Sequence, residues 1–100
     1  MIQFKKSKHF LEWLDSLRSK PARARVLARL DHAQWGNFGD CEALGNGVFE
    51  MRIHYGPGYR VYFTRRGEVV YLLLIGGDKS TQKRDIQRAK QIAEDFEKKE

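Results

Sequence analysis

The stretch that decides the fold runs from Val48 to Lys79, VFEMRIHYGPGYRVYFTRRGEVVYLLLIGGDK. It reads as strand, glycine turn, strand, short turn, strand, and then a glycine-bearing loop compatible with a phosphate. Side chains alternate between the two faces of a strand, so Phe49, Met51, Ile53 and Tyr55 point one way and Glu50, Arg52 and His54 the other. The next strand repeats the split, with Tyr59, Val61 and Phe63 against Arg60, Tyr62 and Thr64. Apolar residues on one face give a core, while Arg52, His54 and Arg60 gathered on the other suggest a site for a polyanion. Glu68 to Ile75 is almost continuously apolar, as in a central strand covered on both faces.

Working outward, Cys41 to Leu44 reads as a short strand and Gly45-Asn46-Gly47 as the turn into the long one. The sheet is then an antiparallel meander, with Met1 to Lys5 able to pair as a further short strand. Ser7 can cap a helix from about Lys8 to Arg18, with Phe10, Leu14 and Leu17 at helical spacing. Pro21 suits the first turn of a second helix, whose stripe is Ala22, Val26, Leu30 and Ala33 and which the glycines after Trp35 end. The link between them is short, so the two helices fold back as a hairpin. A last helix, Thr81 to about Phe96, carries Ile86, Ala89, Ala93 and Phe96 as its stripe, with Asp78, Ser80 or Thr81 as its cap. It is the element available to cover the second face of the sheet. Gly76-Gly77-Asp78 reads as a tight turn, and Glu97 to Glu100 as a fraying end. Trp13 and Trp35 read as helix packing.

The expected architecture is therefore α+β: an N-terminal helical hairpin packed on a twisted antiparallel sheet, with a C-terminal helix. Residues 1–100 suffice for one domain, and 41% hydrophobic residues supply a core without covalent staples. The single cysteine, Cys41, rules out an internal disulfide and reads as packing. Neither a signal-peptide pattern nor an apolar run near the roughly 20 residues of a membrane helix is present, so the expected place is the cytoplasm, away from membranes. His9, His32 and His54 are scattered, so no metal and no cofactor is expected. The net charge of +6 fits a nucleic-acid or acidic-protein partner. Residues 1–35 hold 8 Lys/Arg against 3 Asp/Glu and residues 79–100 hold 7 against 5, whereas residues 36–78 hold 4 against 5. Cations on the helices read as a solvated surface; the few on the sheet call for a specific explanation.

The phrases RIHYGPGYRVYF and LLIGGDKSTQKRDIQRAK, with FLEWLDSL, ARARVLARL and GNFGD before them, resemble the RelE/ParE toxin superfamily in its addiction-module killer, HigB-like branch. The resemblance spans nearly the whole chain. It implies a RelE-like fold and a bacterial type II toxin neutralised by a cognate antitoxin. In this branch the antitoxin is a small helix-turn-helix protein, so operator DNA would be bound only through the antitoxin complex. RelE-like members are endoribonucleases (mRNA interferases) that cut messenger RNA on the ribosome. ParE-like members poison DNA gyrase and have no nuclease centre. The resemblance matches Arg60 to the arginine after the strand turn, Arg52 to a basic residue of the preceding strand, and Lys79 to a cation in the loop after the last strand. Two positions depart from the pattern: Glu50 stands where a second basic residue would be, and Asp85 near an expected tyrosine.

Metal-free RNA cleavage needs a positioned 2′-hydroxyl, proton acceptance and donation, and a clamp for a phosphorane that gains negative charge. The arginine fork suits the clamp, which assigns Arg52 and Arg60 to it, with Lys79 as a further phosphate ligand. Histidine as a residue type has the intrinsic pKa range for proton transfer at neutral pH, and His54 is assigned that role as general base or acid. Tyr62 is the candidate to stack on a base, while Tyr59 falls on the core face. Three readings stay open: the ribonuclease; a ParE-type gyrase poison whose toxic surface binds protein; and a non-catalytic binding or regulatory module. An internal pair between Arg52 and Glu50 or Glu68 is the structural alternative for that arginine.

Overall fold

Local chemistry accounts for where each helix begins. A computed structural model of the chain describes residues 1–68 and 70–99, without the side chain of Lys99. The elements run β1 (Gln3–Lys6), α1 (Lys8–Ser16), α2 (Lys20–Gln34), β2 (Cys41–Gly45), β3 (Val48–Ile53), β4 (Tyr59–Arg66), β5 (Val70–Asp78), a single 3-10 turn over Lys79–Thr81, and α3 (Gln82–Lys99). Ser7 caps α1 by accepting from the Phe10 N–H at 3.0 Å, and Ser19 caps α2 by accepting from the Ala22 N–H at 3.2 Å. Asp78 and Thr81 form a capping box ahead of α3.

The five strands form one mixed sheet in the order β1-β5-β4-β3-β2. The fold class is α+β as expected, but the sheet is not purely antiparallel: β1 pairs parallel to β5, with Phe4 opposite Tyr71. The chain reaches that position because α1 and α2 and the whole meander intervene, enough for a crossover between parallel neighbours. Strand β5 is interior, as its apolar run predicts, with α1 over one face and α3 over the other. Of the strand expected over Glu68 to Ile75, Val69 lies outside the described residues, as does Glu100 of the tail.

Two apolar layers flank the sheet. Phe10, Val26, Leu30, Ala33, Met51, Ile53, Val61, Phe63 and Leu73 pack on the side of α1 and α2. Val48, Tyr62, Leu72, Leu74, Ala89, Ile92 and Ala93 pack under α3. The alternation read in β3 and β4 therefore assigns their faces correctly.

Other expectations change. Gly76 and Gly77 are not a turn but the end of β5, and each is a place of close approach. A Cβ at Gly76 would lie 2.1 Å from the Trp13 ring, and one at Gly77 would lie 1.8 Å from Asp85 Oδ2. Glycine is needed here for room on the two faces, so the segment is no phosphate cradle. Helix α3 continues to Lys99, past the end expected at Phe96. Trp35 is 74% exposed and does not join the helix packing, whereas Trp13 does.

Candidate functional site

Three strand ends meet at one end of the sheet. Ile53, Tyr59 and Asp78 are in register across β3, β4 and β5, so His54 and Lys79 lie just beyond the same edge, on either side of the Gly56-Pro57-Gly58 turn. Gly56 and Gly58 take φ of 55° and 80°, values that favour glycine and let β3 reverse into β4 within four residues, Tyr55 to Gly58. Arg60 folds back on this turn, its Nη1 donating to the Gly58 carbonyl at 2.8 Å. A Cβ at Gly58 would sit 2.9 Å from Arg60 Nη1 and 3.5 Å from Lys79 Cβ, so both cationic residues lean on the same glycine.

One row deeper, Arg52 and Arg60 are directly opposite each other on β3 and β4. Like charges so placed repel, and a counter-charge is required. Glu50 supplies it. Its carboxylate is fully buried, accepts from Arg52 Nε at 3.0 Å and from Gln82 Nε2 at 2.9 Å, and stands 4.0 Å from Arg60 Nε. The remaining nitrogens of Arg52 face Glu42, through Nη2, and Asp40 Oδ1, 3.9 Å from Nη1. Arg52 was expected to clamp phosphate; instead its guanidinium is engaged by three carboxylates, the internal pairing with Glu50 that strand spacing allows. Arg60 differs. It is about nine-tenths buried, and its Nε has no hydrogen-bond partner among the protein groups. Lys79 is exposed on the 3-10 turn and makes no ion pair among the described residues.

His54 is exposed, and its Nε2 lies 2.6 Å from Asp40 Oδ2. The contact with the imidazole holds the Asp40 carboxyl below the usual carboxylate range, against an opposing desolvation and with the Arg52 charge adding to the lowering. With Asp40 ionised, Nε2–H donates and Nδ1 of a neutral ring is left as an acceptor toward solvent. Asp40 was not singled out in the sequence, since it lies in a loop 14 residues from His54. Arg29, read only as a helix cation, fixes that loop: it donates to the carbonyls of Arg52, Phe38 (2.9 Å) and Asp40 (3.3 Å).

Tyr62, expected to stack on a base, is fully buried beneath α3 and presents no face to a ligand. Burial first, and then the charge of Glu50, push its phenol pKa upward. Among the described residues its hydroxyl finds no well-aligned hydrogen-bond partner, although the Glu50 carboxylate is close enough to act on it. Asp85, also buried, accepts from the Thr81 hydroxyl at 2.5 Å, so both departures from the expected pattern are buried acids at the start of α3, Asp85 on its first turn and Glu50 bonded to Gln82.

A family profile described as "Phage derived protein Gp49-like (DUF891)" matches residues 12–97. The chain belongs to the Gp49-like family. This is a toxin-like family related to the toxins of type II systems. The chain is also similar to an uncharacterized protein of Haemophilus influenzae (strain ATCC 51907 / DSM 11121 / KW20 / Rd), 46% identical over 95 residues, which cover 95% of this chain and 96% of the relative. In this Gp49-like chain, then, Arg60 and Lys79 meet at Gly58, and His54 lies just beyond the end of the neighbouring strand, held by Asp40. Arg52 is held among acids, and Tyr62 lies inside the core.

Proposed function

We propose that this Gp49-like chain has a RelE-like fold and is the toxin of a type II toxin–antitoxin pair, a metal-independent endoribonuclease that cuts messenger RNA on the ribosome in the cytoplasm. Its silencing partner is a cognate antitoxin, a helix-turn-helix protein through which operator DNA is bound. The observation that carries the reading is the placement of Arg60, whose guanidinium folds onto Gly58 beside the exposed Lys79, with the His54 imidazole held by Asp40 beyond the neighbouring strand end. A guanidinium and an ammonium placed side by side can give charge-assisted hydrogen bonds to phosphate oxygens.

In this mechanism His54 Nδ1 takes the proton of the RNA 2′-hydroxyl. The oxygen attacks the adjacent phosphorus to form a 2′,3′-cyclic phosphate, the bond to the 5′-oxygen breaks as that oxygen takes a proton from solvent water, and the imidazolium returns its proton to solvent afterwards. Asp40 stabilises the imidazolium that forms, a role for an ionised carboxylate beside a histidine. Arg60 and Lys79 bind the phosphorane oxygens. Arg52 holds Glu50, and through it Arg60, in place.

A second reading, a protein-binding toxin or regulatory module, is favoured by one specific feature. Four carboxylates (Asp40, Glu42, Glu50 and Asp78) stand around the two arginines Arg52 and Arg60. Primer extension on cellular RNA after brief induction separates the two. New ends confined to translated regions support the nuclease; growth arrest without new ends, together with inhibited supercoiling by purified gyrase, overturns it.

A further inference from the structure

At the end of the sheet away from Gly58, four strands contribute to one small cavity on the face that α1 and α2 cover: Cys41 from β2, Phe49 from β3, Phe63 and Arg65 from β4, and Tyr71 from β5. Phe49 is in register with Phe63, and Arg65 with Tyr71, so these side chains are immediate neighbours. Phe38, from the loop after α2, closes the cavity, with its ring 5.5 Å from that of Phe63 and 5.4 Å from that of Tyr71 at interplanar angles of 24° and 28°. Phe49 stacks on Phe63 in the same sense, at 5.5 Å and 19°. The Phe38 wall is held from behind, because Arg29 Nη2 donates to the Phe38 carbonyl at 2.9 Å and to the Asp40 carbonyl at 3.3 Å. Phe38, Phe49 and Tyr71 are nevertheless only half-buried, which leaves ring surface open to a guest.

The lining selects that guest. A preformed apolar pocket with one polar anchor is the common build of a small-molecule site. Its volume of about 210 Å³ is below the roughly 300 to 1,000 Å³ of drug-sized ligand pockets, which limits the guest to one or two fused rings. Rings in near-parallel planes accept a further flat ring by offset stacking. Arg65 is the one charged residue of the lining among the described residues. Its Nε donates to the Gly67 carbonyl at 2.6 Å and its guanidinium carbon stands 5.9 Å from the Tyr71 ring centre, so the head is held at the mouth with its terminal nitrogens left to bind an anion. We propose that this cavity binds a free, small aromatic carboxylate, its ring stacked among Phe38, Phe49, Phe63 and Tyr71 and its carboxylate on Arg65. The site lies at the opposite end of the sheet from Arg60 and does not depend on the nuclease reading.

The test uses the full chain, nitrogen-labelled, with indole-3-carboxylate, its neutral carboxamide and the aliphatic anion octanoate as ligands. Indole-3-carboxylate is expected to move the Phe38 and Arg65 amide resonances saturably at millimolar concentration and to slow alkylation of Cys41, which shares the cavity. It should bind about two- to fivefold tighter than the carboxamide, the range of a solvent-facing ion pair. Arg65→Gln, at an exposed position, should erase that difference while leaving the fold unchanged, and Phe38→Leu should weaken both indoles. Equal affinity of the parent for carboxylate and carboxamide overturns the proposal, as do shifts confined to other surfaces and the absence of saturable shifts. Octanoate binding as tightly as indole-3-carboxylate overturns it in favour of an acyl chain. Tighter binding of a peptide with a C-terminal tryptophan overturns it in favour of a protein partner.

Discussion

Glu50→Gln keeps the shape of the side chain and removes its charge, which makes it the sharpest probe of how the two arginines are held. Arg52 is 29% exposed and retains Asp40 and Glu42, so its loss is small. Arg60, 11% exposed at its side chain, has no other ion-pair partner among the described residues, and Gln82 loses a charged acceptor. Removing one member of a buried pair costs about 3 to 5 kcal/mol. Because Arg52 is compensated, the low end applies, about 3 kcal/mol, equivalent to a Tm lower by about 12 to 24 °C in a domain of this size. Urea unfolding followed by circular dichroism measures it directly. Replacing both members, Glu50→Met with Arg60→Met, should recover most of the loss, since an apolar pair leaves no buried charge. A Glu50→Gln variant within about 0.5 kcal/mol of the parent, the range of an inconsequential surface change, would refute the bridging role of Glu50.

Other consequences are local. Gly77→Ala should destabilise by about 1 to 3 kcal/mol, because its Cβ would enter the space of the Asp85 carboxylate; adding Asp85→Ala should return part of that, as read by the same urea transitions. Asp78→Ala removes the capping box and should cost about 1 kcal/mol. Asp40 and Asp78 both have pKa values depressed in the folded state, Asp40 chiefly by His54 and Asp78 chiefly by the Ser80 hydroxyl. Their stabilising contribution is therefore present above the unfolded carboxylate pKa of about 3.9 and is lost as pH falls through the lower folded values. A pH series of melting temperatures should fall below about pH 4 in the parent, and less steeply in the Asp40→Asn, Asp78→Asn double variant. The Cys41 thiol, half-buried with its pKa raised first by burial, should be alkylated by iodoacetamide more slowly than free cysteine at neutral pH.

Alternation alone carried the two faces of β3 and β4, because Met51, Ile53, Val61 and Phe63 repeat every second residue and the opposite set is polar. The parallel pairing of β1 was not legible: four residues, QFKK, have no pattern that names a partner 67 residues away. Gly76-Gly77 misled because a glycine pair signals a turn locally, and only the Trp13 and Asp85 side chains, both distant in sequence, reveal the need for space. At the site, the shared sheet end of Arg60, His54 and Lys79 follows from a tight turn plus alternation. The burial of Tyr62 and the capture of Arg52 depend on α3 and on β2, whose placement no local pattern fixed. Asp40 is the instructive omission, since a loop carboxylate becomes a histidine partner only once Arg29 has fixed the loop to β3.

The account stands most directly on whether the rim residues cut RNA. Purified parent, His54→Ala and Lys79→Ala proteins, each shown by circular dichroism to be folded, are added to a translating extract with one end-labelled message. The account predicts cleavage within the translated region by the parent and cleavage about 100-fold slower or more with either substitution. An intact message with the parent, or cleavage at the parental rate by the His54→Ala protein, would contradict it.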